Sequence, residues 1–194
     1  MADNVISGYA VRFGDITTIA DFRERIAPGA FTRTLRQAPD VVMLLDHDSG
    51  RVLGRTSSGS LTLQEDATGL YFSLDVDSST PEGQTAIGTV ARRDVRGCSF
   101  GFYVRSESWQ DDGDSLPLRT IEDVDLYEIT LTAFPAYETT SASLSGRSGS
   151  VRRAEAAMRK QGIAPSTDAP SIARSNSLAA SRRRAEAAMR LRRI

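Results

Sequence analysis

The chain has 194 residues, of which 40% are hydrophobic and 25% charged, and its formal net charge is −1, as is ordinary for a soluble globular protein. No apolar run approaches the roughly 20 residues that cross a bilayer, and the N-terminus lacks the basic and apolar regions of a signal peptide. The single cysteine excludes an internal disulfide and is typical of a protein that works inside a cell.

The near-neutral charge hides an asymmetry along the chain. From Ser150 onward there are 11 basic and 3 acidic residues, whereas the residues before it include 13 basic and 22 acidic ones. Residues 144–150 have the composition of a linker, so we predict a domain over 1–145 and a flexible basic tail over 146–194. A tail of this kind binds an acidic partner or stays solvated.

Apolar patterns predict a series of short strands in the first part of the domain. These predicted strands are residues 5–13, 22–26, 41–45, 51–56, 61–63 and 70–76. A short helix is expected over 31–37, and Pro39 ends it.

A second helix opens the later part of the domain, with Thr80 as its N-cap and Pro81 at its first position. The predicted strands that follow are residues 95–104, 116–121 and 124–132, with a hairpin turn at 111–113 between the first two. In the last strand the apolar positions change parity at Tyr127 and Glu128. A β-bulge there would reconcile the two halves, and bulges often re-aim a side chain at a functional site.

The body is therefore predicted to be mainly β (α+β), with the many short strands of a barrel or a sandwich. In the tail, the sequence RRAEAAMR occurs at 152–159 and again at 183–190. Two copies are too few for a solenoid, and each copy is so short that its helix would be marginal. The segment 162–181 between them is rich in Ser, Ala and Pro and is expected to be disordered.

The only histidine of the chain, His47, follows the apolar strand 41–45 directly after Asp46. Histidine is the side chain best suited to move protons near neutral pH. One histidine cannot build a histidine-rich metal site, but it can act as the base of a serine or cysteine nucleophile. The alternative is a solvated loop histidine.

Two candidate nucleophiles lie next to each other, early in the strand 95–104. Ser99 lies on the face opposite the apolar one, where a histidine within about 2.6–3.2 Å would activate its hydroxyl. Cys98 shares its face with Phe100 and Phe102, which predicts a buried and inert thiol. A purely structural role for Ser99 is the alternative.

Glu128 is a carboxylate in an otherwise apolar and β-branched strand, where it is out of place. At the predicted bulge it could orient the histidine and stabilise its charged form. The alternative is an edge-strand glutamate in solvent. The rival orienting carboxylates are Asp46, Asp48, Glu122 and Asp125.

Taken in order, these segments resemble the prohead (capsid maturation) serine proteases of tailed bacteriophages. The main matching segments are Leu44-Leu45-Asp46-His47-Asp48, Gly97-Cys98-Ser99-Phe100-Gly101-Phe102, Leu126-Tyr127-Glu128-Ile129-Thr130-Leu131-Thr132 and Pro135-Ala136-Tyr137. The opening Gly8-Tyr9-Ala10, Phe13 and Pro28-Gly29-Ala30-Phe31 match as well. The resemblance covers roughly residues 5–142.

The resemblance implies a serine endopeptidase with the closed β-barrel of herpesvirus maturation proteases (assemblin), flanked by a few short helices. It implies that His47 is the general base and Ser99 the nucleophile, and Glu128 stands at the position of the residue that orients His47. Neither a metal nor another cofactor is implied. Backbone amides after Ser99 or near 130–132 are candidate oxyanion donors.

The resemblance also implies a role. Such enzymes cut scaffold protein, or the scaffold-like segment of the major capsid protein, and then themselves, inside the procapsid in the host cytoplasm. These capsid proteins are the expected substrate partners, and we also expect a homo-oligomer. We expect no membrane partner, and no nucleic-acid partner for the body, because the body is acidic and its aromatic residues occupy core-like positions.

The main alternative is a catalytically inactive β-barrel that acts as a scaffold or assembly module of the procapsid. For the tail we expect binding to the acidic scaffold or the shell interior, which would package the protease, and release by self-cleavage within 162–181. A tail that only improves solubility is the alternative.

Overall fold

The computed structural model of the protein describes residues 4–111, 113 and 115–145. The predicted tail with its duplicated segment lies outside the described residues, so the domain boundary after residue 145 stays a prediction. Among the described residues, no helix is long and apolar enough to cross a membrane.

The described residues form mostly strands, as predicted. The strands are β1 (Val5–Arg12), β2 (Thr17–Ile19), β3 (Phe22–Ile26), β4 (Val42–Leu45), β5 (Asp48–Arg55), β6 (Leu61–Glu65), β7 (Gly69–Asp75), β8 (Gly97–Gln110), β9 (Leu118–Thr132) and β10 (Ser143–Ser145). The helices are α1 (Thr32–Arg36) and α2 (Pro81–Ala91). The predicted N-cap of α2 is confirmed, because the Thr80 hydroxyl accepts a hydrogen bond from the Gly83 amide at 3.0 Å.

The strands are arranged in two sheets. One has four strands in the order β10-β1-β7-β6, and the other has six, in the order β2-β3-β9-β4-β5 with β8 also paired to β9. The mainly β class is thus confirmed. Within the part of the chain that the structure describes, neither sheet closes on itself, so the closed barrel is not confirmed.

Strand β9 is the centre of the six-stranded sheet. Along its whole length it pairs with β8 in antiparallel fashion, from Gly97 opposite Thr132 to Gln110 opposite Leu118. It also pairs in parallel with β3 through its first residues and with β4 through its last ones. Strand β9 therefore separates the end of β4 from the start of β8, with Leu45 of β4 and Cys98 of β8 paired to Leu131 from its two sides.

Strand β9 was predicted as two strands, with a gap between residues 121 and 124. The structure has one continuous strand there, which stays paired with β8, and the exposed Glu122 accepts hydrogen bonds from the Ser106 and Ser108 hydroxyls of β8 at 3.0 and 2.7 Å. Strand β5 starts three residues earlier than predicted, directly after His47. The short strands β2 and β10 carry no apolar pattern and were not predicted.

One hydrophobic core contains side chains from both sheets and from α2. Phe31 and Phe72 are its largest fully buried members, and burying each of them stabilises the fold by roughly 1.5–3 kcal/mol. Cys98 and Phe100 of β8 are also buried in it, with Phe102 packed against it. The opposite face of β8, which carries Ser99, therefore points away from this apolar cluster.

Candidate active site

His47 lies in a two-residue hairpin turn. Asp46 and His47 connect β4 to β5, and the flanking residues Leu45 and Asp48 pair with each other. Asp46 has φ 55° and His47 has φ 59°, so both central residues are left-handed, as in a type I′ turn. A left-handed backbone costs a typical non-glycine residue about 1–2 kcal/mol, and less for aspartate, so contacts outside the turn help to maintain it.

Those contacts come from β9. The Asp46 amide donates to the Leu131 carbonyl at 2.9 Å, and the His47 amide donates to the Thr130 hydroxyl at 2.9 Å. The Thr132 hydroxyl donates to the Asp46 carboxylate at 2.8 Å. Both turn residues are thereby fixed to consecutive positions of the central strand.

The imidazole of His47 contacts the carboxylate of Glu128. His47 Nδ1 and Glu128 Oε1 are 2.8 Å apart, and the side chains are 27% and 4% exposed, respectively. An ionised carboxylate only accepts hydrogen bonds, so this contact favours the tautomer that carries its proton on Nδ1. The acceptor lone pair of the ring is then on Nε2, the arrangement that a general base requires.

A β-bulge places Glu128 for this contact. Gly101 of β8 pairs with Glu128, but Phe102 pairs with Leu126, so Tyr127 is an extra residue on β9. The bulge predicted at Tyr127 and Glu128 is thus confirmed. A Cβ on Gly101 would lie 2.7 Å from Glu128 Oε1 and 2.7 Å from Tyr127 Cε2, so the glycine leaves the space that the carboxylate and the ring occupy.

Ser99 lies on the same face of the sheet. It pairs with Thr130 of β9, and paired residues of neighbouring strands project from the same face. Thr130 also pairs with Leu44 of β4 and accepts the hydrogen bond of the His47 amide. Ser99 is 4% exposed. Ser99 is therefore the β8 neighbour of Thr130, the residue whose hydroxyl accepts the His47 amide.

Cys98, the rival nucleophile, is fully buried. Its amide donates to the Thr140 hydroxyl at 3.0 Å, and burial strongly raises the pKa of its thiol. A thiol that does not ionise is a poor nucleophile. The predicted inert character of Cys98 agrees with this environment.

The rival carboxylates engage other groups. Asp46 accepts from Thr132, and Asp48 accepts from the Gly50 amide at 2.8 Å. Asp125 accepts hydrogen bonds from Arg105 and Arg33. Both bonds lower the pKa of Asp125, and the bond from Arg105 has the larger effect. Glu122 accepts from two serine hydroxyls of β8. Glu128, in contrast, contacts the imidazole directly, with its Oε1 2.8 Å from His47 Nδ1.

Sequence reasoning missed the roles of Thr130, Thr132 and Gly101. The two threonines share a face of β9 with Glu128, because they follow it at alternate positions. The side chains of Glu128, Thr130 and Thr132 are nearly fully buried. A row of buried polar residues on one strand face is a signal that could have been read from the sequence, since buried hydroxyl groups need hydrogen-bond partners.

The chain was compared with known protein families, curated proteins and solved structures. The model of the family described as caudovirus prohead serine protease matches residues 1–154. No curated protein matches the chain. Among solved structures, a protease of the herpesvirus KSHV in complex with a hexapeptide phosphonate inhibitor is similar, with 13% identity and a TM-score of 0.45 over 93% of this chain and 87% of that one.

Proposed function

Since the chain belongs to the caudovirus prohead serine protease family, we propose that Ser99 is its nucleophile, His47 its general base and Glu128 the residue that orients His47. The observation that carries this proposal is the 2.8 Å contact between His47 Nδ1 and Glu128 Oε1. Its support is the pairing of Ser99 with Thr130, which holds the His47 amide. An inactive assembly module would require neither arrangement.

The proposed reaction is acyl transfer through an acyl-enzyme. His47 Nε2 takes the proton of the Ser99 hydroxyl as its oxygen attacks the carbonyl carbon of the scissile peptide bond. The imidazolium then gives this proton to the leaving amine, and a water molecule activated by the same nitrogen hydrolyses the ester. Acid–base catalysis of this kind contributes about 10²–10⁴-fold to the rate. The buried carboxylate of Glu128 stabilises the imidazolium in both steps.

The substrates we propose are scaffold protein, or the scaffold-like segment of the major capsid protein, and the protease itself. The proposed location is the interior of the procapsid in the host cell. The family supports a general role in capsid maturation. A closed barrel and a homo-oligomer remain expectations of the resemblance.

For the tail we propose binding to an acidic scaffold or shell interior, followed by self-cleavage within 162–181. The support is the charge asymmetry, with 11 basic and 3 acidic residues from Ser150 onward. Deleting residues 150–194 should lower incorporation into procapsids and leave hydrolysis of a peptide unchanged. Unchanged incorporation would contradict a packaging role.

The direct test of self-cleavage is the intact mass of the purified full chain, wild type beside Ser99→Ala. We expect the wild type to lose C-terminal fragments and Ser99→Ala to stay whole. The fragment masses would also give the cleavage rule. Identical trimming of both proteins would point to a host protease that cuts the tail and would contradict self-cleavage under these conditions.

A further inference from the structure

Three alternate residues on one face of β9 contact the turn that carries His47. Glu128 Oε1 lies 2.8 Å from His47 Nδ1, Thr130 Oγ1 lies 2.9 Å from the His47 amide, and Thr132 Oγ1 lies 2.8 Å from Asp46 Oδ1. We propose that Thr130 is a positioning residue. By accepting the main-chain N–H of His47, its hydroxyl holds the histidine in the left-handed conformation in which the ring meets Glu128. This inference rests on the proposed function.

The turn does not provide this hydrogen bond itself. In a two-residue hairpin turn the internal hydrogen bonds join the flanking residues, here Leu45 and Asp48, and the amides of the central residues point elsewhere. The Asp46 amide reaches the Leu131 carbonyl, a backbone acceptor that any residue would supply. The His47 amide reaches a side chain, so its partner depends on the identity of residue 130.

Thr130 is fully buried, and its position links both proposed catalytic groups. It pairs with Ser99 on one side and with Leu44, at the end of the histidine's own strand, on the other. A shift of the turn relative to Thr130 would therefore change the placement of His47 relative to Ser99. In an active site, a misplacement of about 1 Å can lower the rate about 10²-fold.

Valine is the informative replacement, because it keeps the shape of threonine but presents a methyl group to the His47 amide. The buried donor would lose its acceptor, and the turn would relax towards other conformations. Serine keeps the hydroxyl and loses only a methyl group. A matched control is Thr34→Val, since the buried Thr34 hydroxyl also accepts a backbone amide, that of Leu126 at 3.3 Å, away from the turn.

The test is the kinetics with which a fluorophosphonate modifies Ser99 in the full chain. For Thr130→Val we expect the maximal rate of inactivation to fall about 10- to 100-fold, with the concentration for half-maximal rate unchanged. Thr130→Ser should stay close to the wild type, and so should Thr34→Val. Equal rates for Thr130→Val and the wild type, or equal losses for the valine and serine variants, would overturn the proposal.

A second measurement tests the same inference without using reactivity. Nuclear magnetic resonance measures the hydrogen exchange of the His47 main-chain amide. The chain has one histidine, which makes its signals simple to assign. We expect faster exchange of this amide in Thr130→Val than in the wild type, and unchanged exchange in Thr34→Val. Unchanged exchange in Thr130→Val would overturn the proposal, and this measurement does not require that the wild type be labelled. A wild type that the fluorophosphonate does not label would contradict the proposed function and not this inference.

Thr132→Val covers the case in which Thr130→Val does not fold. It removes the hydroxyl that holds Asp46, the other left-handed residue of the turn, and leaves Thr130 in place. We expect Thr132→Val to be labelled more slowly than Thr130→Ser. Where Thr130→Val can be measured, we expect Thr132→Val to be labelled faster than Thr130→Val. If Thr130→Val does not fold, a wild-type rate in both Thr132→Val and Thr130→Ser would overturn the proposal that hydroxyl groups of β9 hold the turn.

Discussion

The carboxylate of Glu128 lies directly over Gly101 on the neighbouring strand. A Cβ on this glycine would lie 2.6 Å from Glu128 Cγ and 2.7 Å from Oε1, closer than non-bonded atoms approach. The bulge at Tyr127 produces this overlap, since it turns two consecutive side chains of β9 over one residue of β8. The absent side chain of Gly101 is thus part of what places Glu128 against His47.

Gly101→Ala should therefore lower activity. The added methyl group displaces the Glu128 carboxylate, and the contact with His47 lengthens or breaks. We expect the rate of Ser99 labelling by a fluorophosphonate to fall at least about 10-fold.

The matched control for this change is Gly88→Ala in helix α2. A Cβ on Gly88 meets nothing within 4 Å, and alanine in a helix is more stable than glycine by about 0.5–1 kcal/mol. Gly88→Ala should raise the melting temperature slightly and leave labelling unchanged. A wild-type rate in Gly101→Ala would mean that the position of Glu128 does not govern the reactivity of Ser99.

Glu128→Gln should reduce the rate of peptide hydrolysis by about 10²–10⁴-fold with little change in the fold. The glutamine amide can donate to Nδ1, which favours the tautomer with its proton on Nε2, and that tautomer cannot accept the serine proton. The ¹⁵N signals of His47 should show this change of tautomer. Glu122→Gln, an exposed position on the same strand, is the control, and equal activity of the two variants would contradict the orienting role.

Cys98 should be dispensable for catalysis. Because burial raises the pKa of its thiol, iodoacetamide should leave the native protein unmodified and alkylate Cys98 after unfolding in urea. Cys98→Ala should keep the labelling of Ser99 and lose roughly 1 kcal/mol of stability, as is typical of a small core truncation. Loss of labelling in Cys98→Ala with an intact fold would reopen the question of which residue is the nucleophile.

A buried ionic network at the other end of β9 should give stability a dependence on pH. Glu24 accepts hydrogen bonds from Tyr137 at 2.9 Å and from Arg119 at 3.0 Å, and burial raises the pKa of Glu24 above its ordinary value. A carboxyl whose pKa is raised on folding stabilises the fold below its unfolded pKa, and this stabilisation is lost as the pH rises through the folded value.

Glu24→Gln should remove this dependence, because the amide keeps an acceptor for Tyr137 but does not titrate. The free energy of unfolding of the wild type minus that of Glu24→Gln should therefore decrease as the pH rises from about 4 to 7. Urea unfolding at several pH values measures this difference. A difference that increases over the same range would show that Arg119 keeps the carboxylate ionised and lowers its pKa.

Much of the fold could be predicted from local patterns. The apolar run 41–45 predicted β4, and the parity change in β9 predicted the bulge at Tyr127. Alternation on β8 separated Ser99 from the core-facing Cys98 and Phe100. These predictions depend only on side-chain periodicity and on residues adjacent in sequence.

The contacts that hold His47 could not be predicted in this way. The amide of His47 and the hydroxyl of Thr130 are 83 residues apart in sequence, and their contact depends on the parallel register of β4 and β9. The Asp-His turn lacks the glycine that usually marks left-handed hairpin turns. Aspartate and histidine enter the left-handed region more often than most residues but less readily than glycine, so they are a weaker local sign of such a turn.

The most direct test of the proposed active site is to map the residue that a fluorophosphonate modifies in the full chain, by tandem mass spectrometry. The wild type should carry one adduct, on Ser99, and His47→Ala should carry almost none while keeping the wild-type melting temperature. An adduct on another residue, or equal labelling of Ser99 in His47→Ala, would contradict a serine nucleophile activated by His47.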